Sequence, residues 1–151
     1  MTTTPANVLA SVDLGSNSFR LQICENNNGQ LKVIDSFKQM VRFAAGLDEQ
    51  KNLSEASQEQ ALECLAKFGE RLRGFQPENV RVVATNTFRV AKNIAQFLPR
   101  AEAELGFPIE VIAGREEARL IYTGVVHTLP PKGDKMLVID IGGGSTEFVI
   151  G

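Results

Sequence analysis

Two stretches of this sequence place an acid between aliphatic residues and follow it with a glycine turn: Val12-Asp13-Leu14-Gly15-Ser16-Asn17-Ser18 and Ile139-Asp140-Ile141-Gly142-Gly143-Gly144-Ser145. Each reads aliphatic-Asp-aliphatic-Gly-x-x-Ser. Glycine is free to take positive φ, so a turn built on it can point successive backbone N–H groups into one concavity, where phosphoryl oxygens would bind. Gly15, Gly143 and Gly144 open the backbone, while Ser16, Asn17, Ser18, Ser145 and Thr146 add short side-chain donors. An acid just ahead of such a turn suits hydrated Mg²⁺, which keeps several of its waters and takes one or two carboxylates beside substrate phosphates. Asp13 and Asp140 are therefore candidate metal ligands, with Mn²⁺ as the alternative ion.

One copy on its own is equally a structural bend, because Asp and Asn are ordinary turn formers. Two copies argue for more, since a bend does not need the acid twice. If two units pack face to face, both turns meet at the mouth of one cleft and share one metal and one phosphate chain. The residues after each turn alternate like a strand and do not open a helix, so neither turn is a dinucleotide fingerprint, and GxxxxGK[ST] is absent. Hairpins, not a P-loop, would hold the phosphates.

Periodicity supplies the framework behind these turns. Val8 to Val12 reads as a buried strand, and Phe19, Leu21 and Ile23 alternate with polar residues up to the turn signal Asn26-Asn27-Asn28-Gly29. A third strand from Leu31 to about Val41 completes an antiparallel meander. A helix capped by Ser54 then carries Ala61, Leu65, Phe68 and Leu72 on one face, a core stripe, and Gly74 closes it. Val80 to Ala84 is a strand. Thr85 or Asn86 could cap a helical stretch from Thr87 toward Leu105, with a kink or a split into two helices expected at Pro99. A strand at Ile109–Ile112 and a helix from about Arg115 to His127 come next. The order βββαβαβα predicts an α/β fold, a mixed five-stranded sheet with helices packed against it. Pro130-Pro131-Lys132-Gly133 is the best linker, after which the pattern restarts with a strand from Met136 to Ile141. The reading is one domain over residues 1–130, then a linker and the first hairpin of a second, truncated domain over 131–151.

Composition narrows the partners. Sixteen basic against eighteen acidic residues leave a net charge of −2, so no nucleic-acid partner is expected. The 43% hydrophobic and 23% charged residues suit a globular domain of this length. No apolar run approaches membrane-spanning or signal-peptide length, and Cys24 and Cys64 make neither a zinc motif nor a disulfide framework. A cytoplasmic protein is expected.

The paired segments around Asp13 and Asp140 resemble the two phosphate motifs of the acetate and sugar kinase, heat-shock 70 and actin superfamily. More narrowly, DLGSNSFRL, TNTFR, GREEARLIYTGV and IDIGGGSTEFVIG, in that order, resemble the exopolyphosphatase and guanosine pentaphosphate phosphohydrolase family, over about Val8 to Gly151. The resemblance implies an actin-like (ribonuclease H-like) core of two domains that commonly dimerises. It also implies Mg²⁺-assisted removal of terminal phosphate from polyphosphate, or of the corresponding phosphate from guanosine pentaphosphate. By the same resemblance, Glu117 matches the general base for the attacking water, Asp140 and Glu147 the acids around the metal and phosphate end, and Arg89 a phosphate-contacting arginine.

Plainer readings exist for several of these residues. Glu116 and Glu117 sit in the first turn of a helix, where the macrodipole favours acids regardless of function. Arg89 could be a solvated helix residue, and Arg115 and Arg119 either face phosphate or pair with nearby acids. His127 reads as a helix C-terminal residue. Two other functions compete: an ATP-dependent kinase or ATPase of the same superfamily, and a phosphate or nucleotide sensor without turnover. Because a cleft between two domains needs both walls, this 151-residue piece is expected to fold yet turn over little or nothing, and the strand-forming Met136–Ile150 segment is expected to expose an apolar edge.

Overall fold

The computed structural model describes residues 3–130 and 132–151, so Pro131, inside the expected linker, lies outside the described residues. The chain opens with β1 (Val8–Leu14), β2 (Ser18–Asn27) and β3 (Gln30–Met40), the expected meander. Its second turn carries Asn28 and Gly29 at φ 54° and 89°, the paired positive angles of a two-residue hairpin turn whose twist matches the strands. After α1 (Glu55–Arg71), β4 (Val80–Ala84) returns parallel to β1. Beyond α2 (Asn86–Val90) and α3 (Ile94–Leu105), β5 (Glu110–Val111) adds a short parallel edge. The sheet order is β3-β2-β1-β4-β5. Then come α4 (Gly114–Thr128) and a separate antiparallel hairpin, β6 (Leu137–Ile141) and β7 (Thr146–Ile150).

One face of the large sheet makes the core. Val12 and Leu14 of β1, Phe19 and Leu21 of β2 and Val82 of β4 pack against α1 and α3, and the stripe Ala61, Leu65, Phe68 and Leu72 is buried as its spacing requires. Ser54 caps α1 by accepting the Ser57 N–H at 3.2 Å. At the centre stands Phe43, from a short 3₁₀ turn that comes after β3. Its ring lies 5.6, 5.0 and 5.4 Å from those of Phe19, Phe88 and Phe97, within the range of favourable aromatic pairs.

The helical stretch after β4 is split, but not at Pro99. Pro99 lies inside α3, and the break falls at Ala91–Asn93. There the Asn93 side chain grips the backbone of Leu53 twice, Oδ1 accepting its N–H at 2.8 Å and Nδ2 donating to its carbonyl at 3.0 Å. A tertiary bond to a residue forty positions away decides the boundary. The helix α4 buries no residue fully, and it lies against the β6–β7 hairpin. Directly opposed strand residues share a face, so Leu137, Ile139, Ile141, Phe148 and Ile150 form one apolar surface, each between 50% and 80% exposed. No helix among the described residues is long and apolar enough to cross a membrane.

Where α1 and α3 cross, a Cβ on Gly69 would come within 2.6 Å of the Glu104 carbonyl oxygen. Gly69→Ala is therefore expected to push the helices apart and cost about 1–3 kcal/mol, despite alanine's better helix propensity. Urea unfolding monitored by circular dichroism checks this.

Candidate functional site

The two glycine turns have the same closure. The Gly15 N–H donates to the Ser18 carbonyl at 3.2 Å, and the Gly142 N–H donates to the Ser145 carbonyl at 2.9 Å. A Cβ on Gly15 would stand 3.1 Å from the first carbonyl and one on Gly142 3.2 Å from the second. Repeated sequence has become repeated backbone. The expectation of positive φ fails at these positions: Gly29, Gly74 and Gly106 are the described glycines that adopt it, and the turn glycines serve close approach instead.

The segment after β3 holds the first turn from behind. The Ala44 N–H donates to the Ser16 carbonyl at 2.8 Å, and the Val41 and Arg42 N–H groups converge on the Asn17 carbonyl at 3.0 and 2.7 Å. Arg42 reaches this position at φ 51°, uncommon for a non-glycine residue. In a trans peptide the N–H points opposite to the C=O, so tying back the Ser16 carbonyl aims the Asn17 N–H away from Ala44. Ser16 is buried, and its Oγ accepts the Thr87 hydroxyl at 2.7 Å. Asn17 is exposed and Ser18 half-buried. The second turn lies against the first: a Cβ on Gly143 would come within 2.8 Å of the Asn17 Cβ.

Three acids converge beside the turns. Asp140 of β6 and Glu147 of β7 are direct cross-strand partners, and Glu117 enters from the first turn of α4. One carboxylate oxygen from each lies within 4.8 Å of the others. Glu147 is buried, and its Oε2 has no hydrogen-bond partner. Glu117 Oε2 accepts from Arg89 Nη1 at 2.8 Å, and the same nitrogen donates to the Ile112 carbonyl at 2.8 Å. Arg89 is thus neither a solvated helix residue nor wholly free for phosphate; it holds Glu117.

Burial pushes the Glu117 carboxyl above its usual 4.5. The hydrogen bond from Arg89 opposes the rise, and the nearby Glu147 and Asp13 charges add to it. Asp13 also rises, chiefly from the protein packed around it and further from Asp140, against the pull of Arg20, although part of its side chain remains open to solvent. Arg20 is the residue that spacing analysis missed. A hairpin closed between Gly15 and Ser18 places Asp13 opposite Arg20, so the register was available in the sequence. Glu116 turns away and pairs with Arg119 at 2.7 and 2.8 Å, and Arg119 lowers its carboxyl. Arg115 is exposed, Thr146 opens β7 exposed, and His127 sits in the last turn of α4, a ring nitrogen 3.2 Å from the Thr123 carbonyl. A hollow of about 290 Å³ between Leu9, Gln22, Cys24, Leu31 and Arg81 lies toward the other end of β1, away from these acids.

Crowded carboxylates with one orphaned, buried oxygen are the donor set a hard divalent cation takes, so the residues present fit such an ion. The sequence matches the Ppx/GppA phosphatase family over residues 22–151. The chain belongs to this family. It is 50% identical over 143 residues to a Haemophilus influenzae protein provisionally named exopolyphosphatase, covering 95% of this chain and 44% of the relative. Against an Aliivibrio fischeri guanosine-5'-triphosphate,3'-diphosphate pyrophosphatase, identity is 47% over 142 residues, covering 94% of this chain and 28% of the relative. The Aquifex aeolicus PPX-GPPA enzyme superposes with a TM-score of 0.86 at 37% identity, over 97% of this chain and 49% of that one. An exopolyphosphatase from Cytophaga hutchinsonii gives 0.87 at 31% identity, over 95% of this chain and 46% of that one. The chain thus spans less than half the length of these relatives. The Ppx/GppA fold is actin-like, as the motifs implied.

The raised acids set a direction for stability. A carboxyl whose folded pKa exceeds its unfolded value contributes stability fully present below the unfolded value and lost as pH rises through the folded one. For Asp13 and Glu117 those unfolded values are 3.8 and 4.5, so in metal chelator these two groups should raise the thermal midpoint as pH falls from neutrality toward those values. Asp13→Asn should flatten that rise. Differential scanning calorimetry across the interval checks it.

Proposed function

We propose that this chain is the N-terminal part of a phosphohydrolase that removes terminal phosphate from inorganic polyphosphate, or converts guanosine pentaphosphate to tetraphosphate. The observation that carries the reading is the orphaned, buried Glu147 oxygen within a three-acid cluster beside two matched phosphate-type turns. The names of the relatives support the substrate class. In this reading residues 1–130 are the first domain, the β6–β7 hairpin begins a second, and the intact enzyme dimerises.

Asp140 and Glu147, with Asp13 beside them, would hold Mg²⁺, or Mn²⁺ in its place, supplying positive charge to the phosphoryl oxygens. The Gly15 and Gly142 N–H groups close their turns, and the remaining outward groups of Ser16, Asn17 and Ser18 on one side and Gly143, Gly144, Ser145 and Thr146 on the other cradle the terminal phosphates. Glu117 takes a proton from the attacking water at its free oxygen while Arg89 fixes the other, leaving the remaining Arg89 nitrogens toward phosphate. A raised carboxyl pKa brings Glu117 nearer the working range of a base. Phosphoryl transfer asks little more of a protein than positioning and charge stabilisation.

The test is phosphate release by the full-length enzyme carrying this chain, offered long polyphosphate, guanosine pentaphosphate and ATP. Glu117→Gln should lower kcat by about 10²–10⁴-fold with the unfolding midpoint held. Preference for ATP would overturn the proposal in favour of a kinase or ATPase of the same superfamily. The 151-residue chain alone should release little phosphate.

A further inference from the structure

The two turns share a closure but not a composition. The first is Gly-Ser-Asn-Ser and the second Gly-Gly-Gly-Ser. The bend does not require the two extra glycines, since neither Gly143 nor Gly144 has positive φ. Space requires them. A Cβ on Gly143 would strike Asn17, and one on Gly144 would come within 2.5 Å of both Ser16 Oγ and Asn86 Nδ2. Across this contact Asn86 Nδ2 donates to the Gly144 carbonyl at 2.7 Å.

Asn86 opens the five-residue helix α2, and that helix bonds to both turns and to Glu117. Its first residue holds the second turn through Gly144. Its second, Thr87, is buried and holds the first turn through Ser16. Its fourth, Arg89, holds Glu117. We propose that Asn86 is a positioning residue that sets the separation and orientation of the two turns, with Gly143 and Gly144 kept bare so that the turns can touch. The proposal rests on the phosphohydrolase reading for its catalytic consequence. With the Gly144 carbonyl held by Asn86, the Ser145 N–H of the same peptide faces the opposite way. Released, that peptide can rotate and turn carbonyl lone pairs toward a phosphate, replacing a donor with an acceptor.

Asn86→Asp keeps the shape and removes the donor; Asn86→Ala removes the donor without adding charge. In the full-length enzyme both should lower kcat for phosphate release about 10²-fold while KM changes little. Gly144→Ala, which forces the turns apart from the other side, should do the same. In the 151-residue chain, nuclear Overhauser contacts between Asn17 and Gly143 should be present and should vanish in both Asn86 variants, with the remaining amide spectrum unchanged. Unchanged kcat in the two Asn86 variants, or Asn17–Gly143 contacts of full intensity in them, would overturn the proposal. Absence of phosphate release from the unmodified enzyme would instead sink the phosphohydrolase reading, and the contact measurement would then decide the tie by itself.

Discussion

Negative charge is crowded where β1, β6, β7 and α4 meet, and the architecture is best understood by what it does with that charge. Glu117, Asp140 and Glu147 share one small space, with Asp13 close enough to raise Glu117 and to be raised by Asp140. Arg89 compensates one of them and Arg20 another from across the hairpin. The rest is uncompensated, and the buried oxygen of Glu147 marks where. A fold selected only for stability would have replaced such a cluster, because buried unpaired charge is costly. In the proposed function a divalent cation would supply the missing charge.

The scaffold behind the cluster is ordinary packing used to hold backbone in place. Phe43 connects the aromatic core to the loop whose amides pin the first turn, so the position of two carbonyls depends on rings several residues away. The turn is thus braced by the part of the molecule least able to yield, since close-packed interiors transmit displacement and do not absorb it.

Much of this was legible in the sequence, and the parts that were not share a cause. The strands, the capped helix α1, its core stripe and the duplicated turns come from local periodicity and turn chemistry. The Asp13–Arg20 pairing was implied by hairpin symmetry. The break at Ala91–Asn93 was not legible, because it comes from Asn93 bonding Leu53 across the fold, and Pro99 proved a weaker signal than that tertiary bond. Nor could spacing show that Arg89 holds Glu117, or that Gly143 and Gly144 are small because another turn presses on them. Local rules state what a residue can do; only the packed chain states what stands next to it.

The hairpin's outer surface has a practical consequence for work on this polypeptide. Leu137, Ile139, Ile141, Phe148 and Ile150 present a continuous greasy strip on a folded molecule. Fluorescent amphiphiles, detergent micelles and hydrophobic chromatography media will adsorb to that strip while the five-stranded sheet is still intact. A dye signal from this chain therefore reports the hairpin's bare side and not the onset of denaturation.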